Sequence, residues 1–221
     1  MVECGGLENR FGPLRSDEGS NPSPSAEELV SRTIELPGGA LRLWQPKESA
    51  ELPDAGAVEW APIAPYWSVL WRSGVALARE LDGAALRGLR VVELGCGLGV
   101  PSIAAARAGA AVLATDYCSE ALALVERNAG ANGVRVETAT FDWGEPDELV
   151  ARAPFDIVLA ADVLYEGTAV APLLSLLPRL APEAWLADPG RPSADAFLEH
   201  AGHRWSIETR VRGVVRIHRI H

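Results

Sequence analysis

The sequence predicts an α/β protein: a seven-stranded, mostly parallel sheet with helices on both faces and an antiparallel hairpin at its C-terminal end. Three observations predict this. From residue 88 onward, short apolar runs alternate with longer segments of helical spacing, the pattern of strands joined by crossover helices. The last two runs instead flank Gly213 with period-two alternation, which reads as a hairpin. The chain has 221 residues and is 48% hydrophobic, enough for one domain with a sizeable core.

Each element has its own signal. "SRTIELPGGALRLWQP" alternates around Gly-Gly and predicts a hairpin from Thr33 to Leu36 and Leu41 to Trp44. "PYWSVLWRSGVALARELDG" carries Val69, Leu70, Ala76, Leu77 and Leu81 at helical spacing and stops at Gly83. "LRVVEL" is a strand, "VPSIAAARAG" a helix ending at Gly109, and "AAVLATD" a strand. "SEALALVERNAGANG" is a helix with Ser119 placed to cap it and Asn-Gly to close it. "VRVETATF" is a strand and "EPDELVARA" a short helix. "FDIVLAADVLY" is a buried strand, "VAPLLSLLPRLA" a helix and "EAWLADP" a strand. "SADAFLEHAG" is a helix with Ser193 as its cap, and "WSIETRVR" and "VVRIHRI" form the closing hairpin.

Residues 1–26 are polar and rich in Gly, Ser and Pro, a composition that predicts disorder. Residues 27–87 then supply a hairpin and helix packed on a core spanning 88–221. A net charge of −10 argues against general nucleic-acid binding, which needs a basic face. It serves solubility or a basic partner. No apolar run reaches membrane-spanning length. Cys4, Cys96 and Cys118 form no paired framework, which points to a reducing, cytoplasmic compartment. His200, His203, His218 and His221 have no metal-site spacing, so no metal is expected.

The chemistry starts at "VVELGCGLGV". Gly95, Gly97 and Gly99 follow a strand and open a helix, with Glu93 two places ahead. Such a turn suits a ligand at the carboxyl edge of a parallel sheet; an ordinary strand-to-helix turn is the competing reading. Asp116 ends the next strand, where a carboxylate can accept from both ribose hydroxyls of an adenosine, or merely cap a helix. The dinucleotide fingerprint fails, because its third glycine would fall at Val100.

"ELGCGLG" resembles the acidic-x-Gly-x-Gly-x-Gly turn of class I S-adenosylmethionine-dependent methyltransferases. With "PYWSVLWRSGVALA", "TDYCSEAL", "ERNAGANG", "FDW" and "ADVLY", spanning Tyr66 to Tyr165, the chain is similar to the protein-lysine methyltransferase group of that seven-β-strand class. That group includes enzymes acting on the electron-transfer flavoprotein β-subunit, and bacterial relatives. The resemblance implies a three-layer Rossmann-like fold, S-adenosylmethionine as cofactor with S-adenosylhomocysteine as product, and a protein substrate methylated on lysine. A small-molecule amine acceptor, or a non-catalytic binding module, are the alternatives.

The resemblance also implies roles. Glu93, Gly95, Gly97 and Gly99 would form the cofactor turn. Asp116 would hold the ribose, with Tyr117 beside the adenine. Asp142 and Trp143 would sit at the adenine, and Trp67 would close the pocket. Asp162 would line the mouth where methyl donor and acceptor meet, as the catalytic carboxylate, with Tyr165 completing its motif. Core roles compete for Trp67 and Tyr165, and a sheet-edge role for Trp143. Trp67 and Trp71 stand four apart on the expected helix. Cys96 reads as a small filler. The "DPGR" segment, Asp188 to Arg191, lies at the ligand edge without an assigned role.

Overall fold

The computed structural model describes residues 29–50 and 65–221; the disorder expected over residues 1–26 falls outside them. A hairpin comes first, β1 (Leu29–Ile34) and β2 (Leu41–Pro46), paired with Ile34 opposite Leu41. It starts earlier than its alternation suggested. Pro37 has no N–H to give a ladder, and the chain instead turns between Leu36 and Gly39. A short helix α1 (Lys47–Ala50) follows.

The expected single helix over "PYWSVLWRSG" is broken. Tyr66–Ser68 form a 3₁₀ turn, Val69 is extended, and helix α2 (Arg72–Leu81) begins only after Trp71. Trp71 Nε1 donates to the Tyr66 carbonyl and Ser68 Oγ to the Pro65 carbonyl. These bonds satisfy backbone groups that a continuous helix would have used, so Trp67 and Trp71 do not share a helix face.

The core then runs β3 (Arg90–Leu94), α3 (Val100–Arg107), β4 (Ala111–Asp116), α4 (Ser119–Ala131), β5 (Glu137–Thr140), α5 (Asp147–Val150) and β6 (Ile157–Ala161). It continues through α6 (Val170–Leu180), β7 (Glu183–Asp188), α7 (Pro192–Ala201), β8 (Ile207–Arg212) and β9 (Val215–Ile220). The seven core strands lie in the order β5-β4-β3-β6-β7-β9-β8. β3 pairs in parallel with β4 and β6, whereas β9 runs antiparallel to both β7 and β8. β5 is shorter than its apolar pattern suggested, an edge strand paired only to β4. Two caps differ from expectation. Cys118 and Arg191 are the N-caps of α4 and α7, without side-chain cap bonds.

Side-chain alternation along the strands builds two cores. Val91, Ile157 and Leu159 pack with α2, α3 and α4 on one face, whereas Val92, Val158 and Ala160 pack with α6 and α7 on the other. The first hairpin is its own two-stranded sheet. Asn128 of α4 and the C-cap Asn132 bond to the backbones of Trp44 and Arg42, and Arg127 stacks on the Trp44 ring. Cys96 is a buried free thiol, whereas Cys118 is disulfide-bonded, contrary to the reading that the three cysteines form no paired framework. No helix of the described residues is long and apolar enough to cross a membrane.

Candidate active site

The chain order reverses around β3: β4 lies on one side and β6 on the other. In open sheets of this kind, ligands enter at the carboxyl ends of the strands where the order reverses. The turn after β3 carries the three glycines, β4 ends at Asp116, and Asp162 follows β6.

Alternation sends Glu93 to the same face as Val91, toward α3. One carboxylate oxygen accepts from the Ser102 N–H at 2.9 Å and from the Ser102 hydroxyl. Burial pushes its pKa up to about 8; the Ser102 bonds oppose the shift and Asp116 adds to it. Glu93 therefore braces the start of α3 and shapes the turn from behind.

The glycines answer to packing as much as to any ligand. A Cβ at Gly97 would stand 3.0 Å from the Trp67 carbonyl oxygen, and Gly97 has φ +50°. At Gly99, φ is +75° and a Cβ would lie 2.8 Å from a Val125 methyl of α4. Asp116 ties this turn to its own strand end. Its Oδ2 accepts from Gly97 N at 3.0 Å and its Oδ1 from Cys118 N at 3.1 Å.

The other expected cofactor residues lie around the same edge. Tyr117 follows Asp116 and is half-buried. Phe141 N donates to the Asp116 carbonyl, which draws the next loop alongside. In that loop Asp142 is exposed, with Oδ1 closing a turn onto Gly144 N, and Trp143 is half-buried against the second core. Trp67 is buried over the glycine turn, and its indole Nε1 has no hydrogen-bond partner. Buried donors are rarely left so. An orphaned N–H, a hydrogen-bonding carboxylate and a glycine turn at one sheet edge fit an adenosine-bearing ligand.

Asp162 has φ +59° and is the one non-glycine with positive φ among the described residues. Such conformations gather at functional sites. Its N–H is held by the Ala187 carbonyl. Its carboxylate is buried and does not face the mouth unpartnered, as the sequence implied. Oδ1 accepts from Arg191 Nε at 2.9 Å and Nη2 at 2.7 Å; Oδ2 carries no bond. This gives "DPGR" its role. Asp188 Oδ1 accepts from Gly190 N and Arg191 N, folding the loop that delivers Arg191. Burial raises the Asp188 pKa, against those two bonds. Ser193, expected as a cap, donates instead to the Leu164 carbonyl, stitching the loops after β6 and β7 together.

Tyr165 is exposed at the rim, its ring 5.5 Å from that of Tyr66, which lies 6.1 Å from Trp71. Burial raises the Tyr66 pKa; Glu166 adds to the rise and Arg191 opposes it, so all three groups share one neighbourhood. Sequence reasoning passed over Tyr66 and Glu166, and placed Arg191 at the ligand edge without a role. Tyr66 and Glu166 adjoin residues it did choose, Trp67 and Tyr165, so adjacency was the available signal. Among the described residues no group of three or more His, Cys, Asp or Glu gathers as a metal site.

Comparison with known proteins identifies the family and the fold. The model of a family described as "Lysine methyltransferase" matches residues 66–185, more than half of the chain. Protein N-lysine methyltransferase METTL21A of Danio rerio is 33% identical over 120 residues, covering 51% of this chain and 55% of that protein. The electron transfer flavoprotein beta subunit lysine methyltransferase of Xenopus laevis is 31% identical over 152 residues, covering 64% and 60%. The chain thus spans somewhat over half the length of these relatives. Among solved structures, a T. thermophilus 16S rRNA methyltransferase (RsmC) superposes with a TM-score of 0.65 at 18% identity, over 93% of this chain and 53% of that one. That likeness establishes the seven-stranded Rossmann-like fold.

Proposed function

The chain belongs to the lysine methyltransferase family, and from that premise we propose that it methylates the side-chain amine of a lysine in a protein substrate, using S-adenosylmethionine. The observation that carries this reading is the buried carboxylate of Asp162, at the switch-point edge, beneath an aromatic rim of Tyr66 and Tyr165. A carboxylate attracts and orients an amine, and aromatic faces favour a cation beside them.

When bound, S-adenosylmethionine supplies a methyl group already activated on a sulfonium, leaving S-adenosylhomocysteine. The residues that would hold it are the Gly95–Gly99 turn, Asp116 at the ribose, Tyr117, Asp142 and Trp143 around the adenine, and Trp67, whose indole N–H would gain its acceptor. Asp162, through Oδ2, would receive a hydrogen bond from the incoming amine and fix its direction of approach. Tyr66 and Tyr165 would shield that approach from water. Alignment and exclusion of water are the protein's main contribution to a transfer of this type.

The test is methyl labelling. Incubating the chain with labelled S-adenosylmethionine and an extract of its source cells should label a discrete protein, and mass spectrometry should place the methyl on lysine. Label confined to small molecules, or on another residue type such as histidine, would overturn the assignment of the acceptor.

A further inference from the structure

The loop that delivers Arg191 rests on a second arginine. Arg216 lies on β9 directly across from Asp188, the last residue of β7. Its guanidinium faces two carboxylates. Nη2 stands 3.8 Å from Asp188 Oδ1, and Nη1 stands 2.8 Å from Oδ1 of Asp195, in the first turn of α7. Asp188 lies at the start of the loop and Asp195 just past its end, with Arg191 between them. Gly190 passes over the same guanidinium. A Cβ built there would lie 3.6 Å from Nη2 and 3.8 Å from Nε and Cζ, at a φ of +98°. One rigid, planar group thus spans the segment from end to end.

From that group the contacts lead to the mouth. Asp188 Oδ1 accepts from Gly190 N at 2.6 Å and from Arg191 N at 2.7 Å. The Arg191 carbonyl accepts from Ala194 N and Asp195 N, which opens α7. The Arg191 side chain then reaches Asp162. Charges of alternating sign therefore run from the surface inward: Asp195, Arg216, Asp188, Arg191 and Asp162.

Stability alone does not call for arginine at this position. Arg216 Nε and Nη2 are buried without hydrogen-bond partners, as is Asp188 Oδ2. Buried polar atoms left so cost free energy, and an apolar side chain of similar length often serves a fold as well or better. An apolar side chain cannot, however, hold two carboxylates at a fixed separation. We propose that Arg216 is a positioning residue: it braces the segment from Asp188 to Asp195, so that Arg191 meets Asp162 and holds that carboxylate in the geometry methyl transfer needs. The proposal rests on the role given to Asp162 in the reading above.

The test reads the contact between Arg191 and Asp162 directly. In the full chain labelled with ¹⁵N-arginine, the Arg191 Nε–H gives a side-chain resonance, identified by its loss in Arg191→Gln. Its hydrogen bond to Asp162 should slow its exchange with water. Arg216→Met keeps the length of the side chain and removes the fork. Asp195→Asn loosens the brace from its outer end, where the side chain is 61% exposed and the core is untouched. Arg216→Met should speed exchange of the Arg191 Nε–H about tenfold, as for coupled neighbours, and Asp195→Asn should speed it less. S-adenosylmethionine affinity should stay as in the wild type. With saturating labelled S-adenosylmethionine and source-cell extract, Arg216→Met should lower the rate of protein labelling about tenfold. Added to Arg191→Gln it should lower that rate no further, because it acts through Arg191. Unchanged exchange in both variants, wild-type labelling by Arg216→Met, or losses that multiply in the double variant would overturn the proposal. Faster exchange of the Arg191 Nε–H in a chain whose wild type labels no protein would uphold the brace and overturn the acceptor reading instead.

Discussion

Arg191 donates from both Nε and Nη2 to a single oxygen of Asp162, and leaves the other oxygen of that buried carboxylate without a bond. The pair joins the loop after β6 to the loop after β7. It holds a buried carboxylate at the mouth, in a backbone conformation of φ +59° that side chains seldom adopt.

Replacing Asp162 by Asn should therefore have two separable effects. Asn tolerates positive φ nearly as well as Asp, so the backbone is spared. Arg191, whose side chain is 16% exposed, keeps an amide oxygen to donate to but loses its counter-charge, so the cost falls below the about 3–5 kcal/mol of breaking a buried pair outright. Turnover should fall by about 100-fold or more from loss of the orienting carboxylate. Adding Arg191→Gln should recover much of the melting temperature without recovering turnover. Wild-type turnover in the stabilised double variant would show that Asp162 is structural.

Trp67 provides a test of cofactor contact that needs no turnover. A buried N–H without a partner costs about 1–3 kcal/mol, so Trp67→Phe should melt at an equal or higher temperature in the absence of ligand. S-adenosylmethionine should then raise its melting temperature less than that of the wild type, since stabilisation follows affinity. Equal ligand-induced shifts would place the orphan N–H outside the site.

Much of this was legible beforehand. Alternating apolar runs carry strand order only through the rule that crossovers cover both faces, and the antiparallel end was readable from Gly213 and its flanking alternation. What escaped was tertiary. Nothing in "DPGR" says that Asp188 folds a loop that delivers Arg191 across 29 positions to Asp162, because ion pairs between loops leave no periodic trace. The break at Val69 escaped because apolar spacing there fits a helix equally well; only the bonds of Trp71 and Ser68 to the preceding turn decide it. Glu93 was legible as part of the turn, but its partner Ser102 was not, since its direction depends on which face of the sheet α3 covers.

Asp116 is bonded at both oxygens, so its two substitutions should differ. Asp116→Asn keeps one acceptor and orphans one backbone N–H; Asp116→Ala orphans those of both Gly97 and Cys118. Each orphan costs about 1–3 kcal/mol, so the alanine variant should melt lower. Both should weaken S-adenosylmethionine binding about tenfold or more, measured by calorimetry on folded protein. An unchanged dissociation constant in the asparagine variant would remove Asp116 from the ribose site.

Glu93 sets a pH dependence with a definite sign. Its ordinary value of 4.5 rises to about 8 in the fold, so over that interval the folded state keeps a proton that the unfolded chain has released. Its contribution to stability is full below 4.5 and is lost as pH rises through about 8. Glu93→Gln mimics the protonated form and keeps an acceptor for Ser102. The melting temperature of the variant relative to wild type should climb across that interval and level off beyond it. A difference that stays flat with pH would mean that Glu93 is charged throughout.

The glycine turn can be tested for the origin of its glycines. Gly99 and Gly133 have similar φ, +75° and +69°, but only Gly99 faces a neighbour, with Val125 methyls 2.8 and 2.9 Å from a built Cβ. Alanine at either position meets the left-handed penalty of about 1–2 kcal/mol. At Gly99 it also meets overpacking against α4, typically about 1–3 kcal/mol more. Gly99→Ala should therefore be destabilised well beyond Gly133→Ala in denaturant melts. Adding Val125→Ala should recover only the overpacking share, net of the cavity it opens, because the strained φ remains. Equal destabilisation of Gly99→Ala and Gly133→Ala would show that α4 gives way at no cost. The need for glycine at position 99 would then come from backbone conformation alone and not from the helix packed against it.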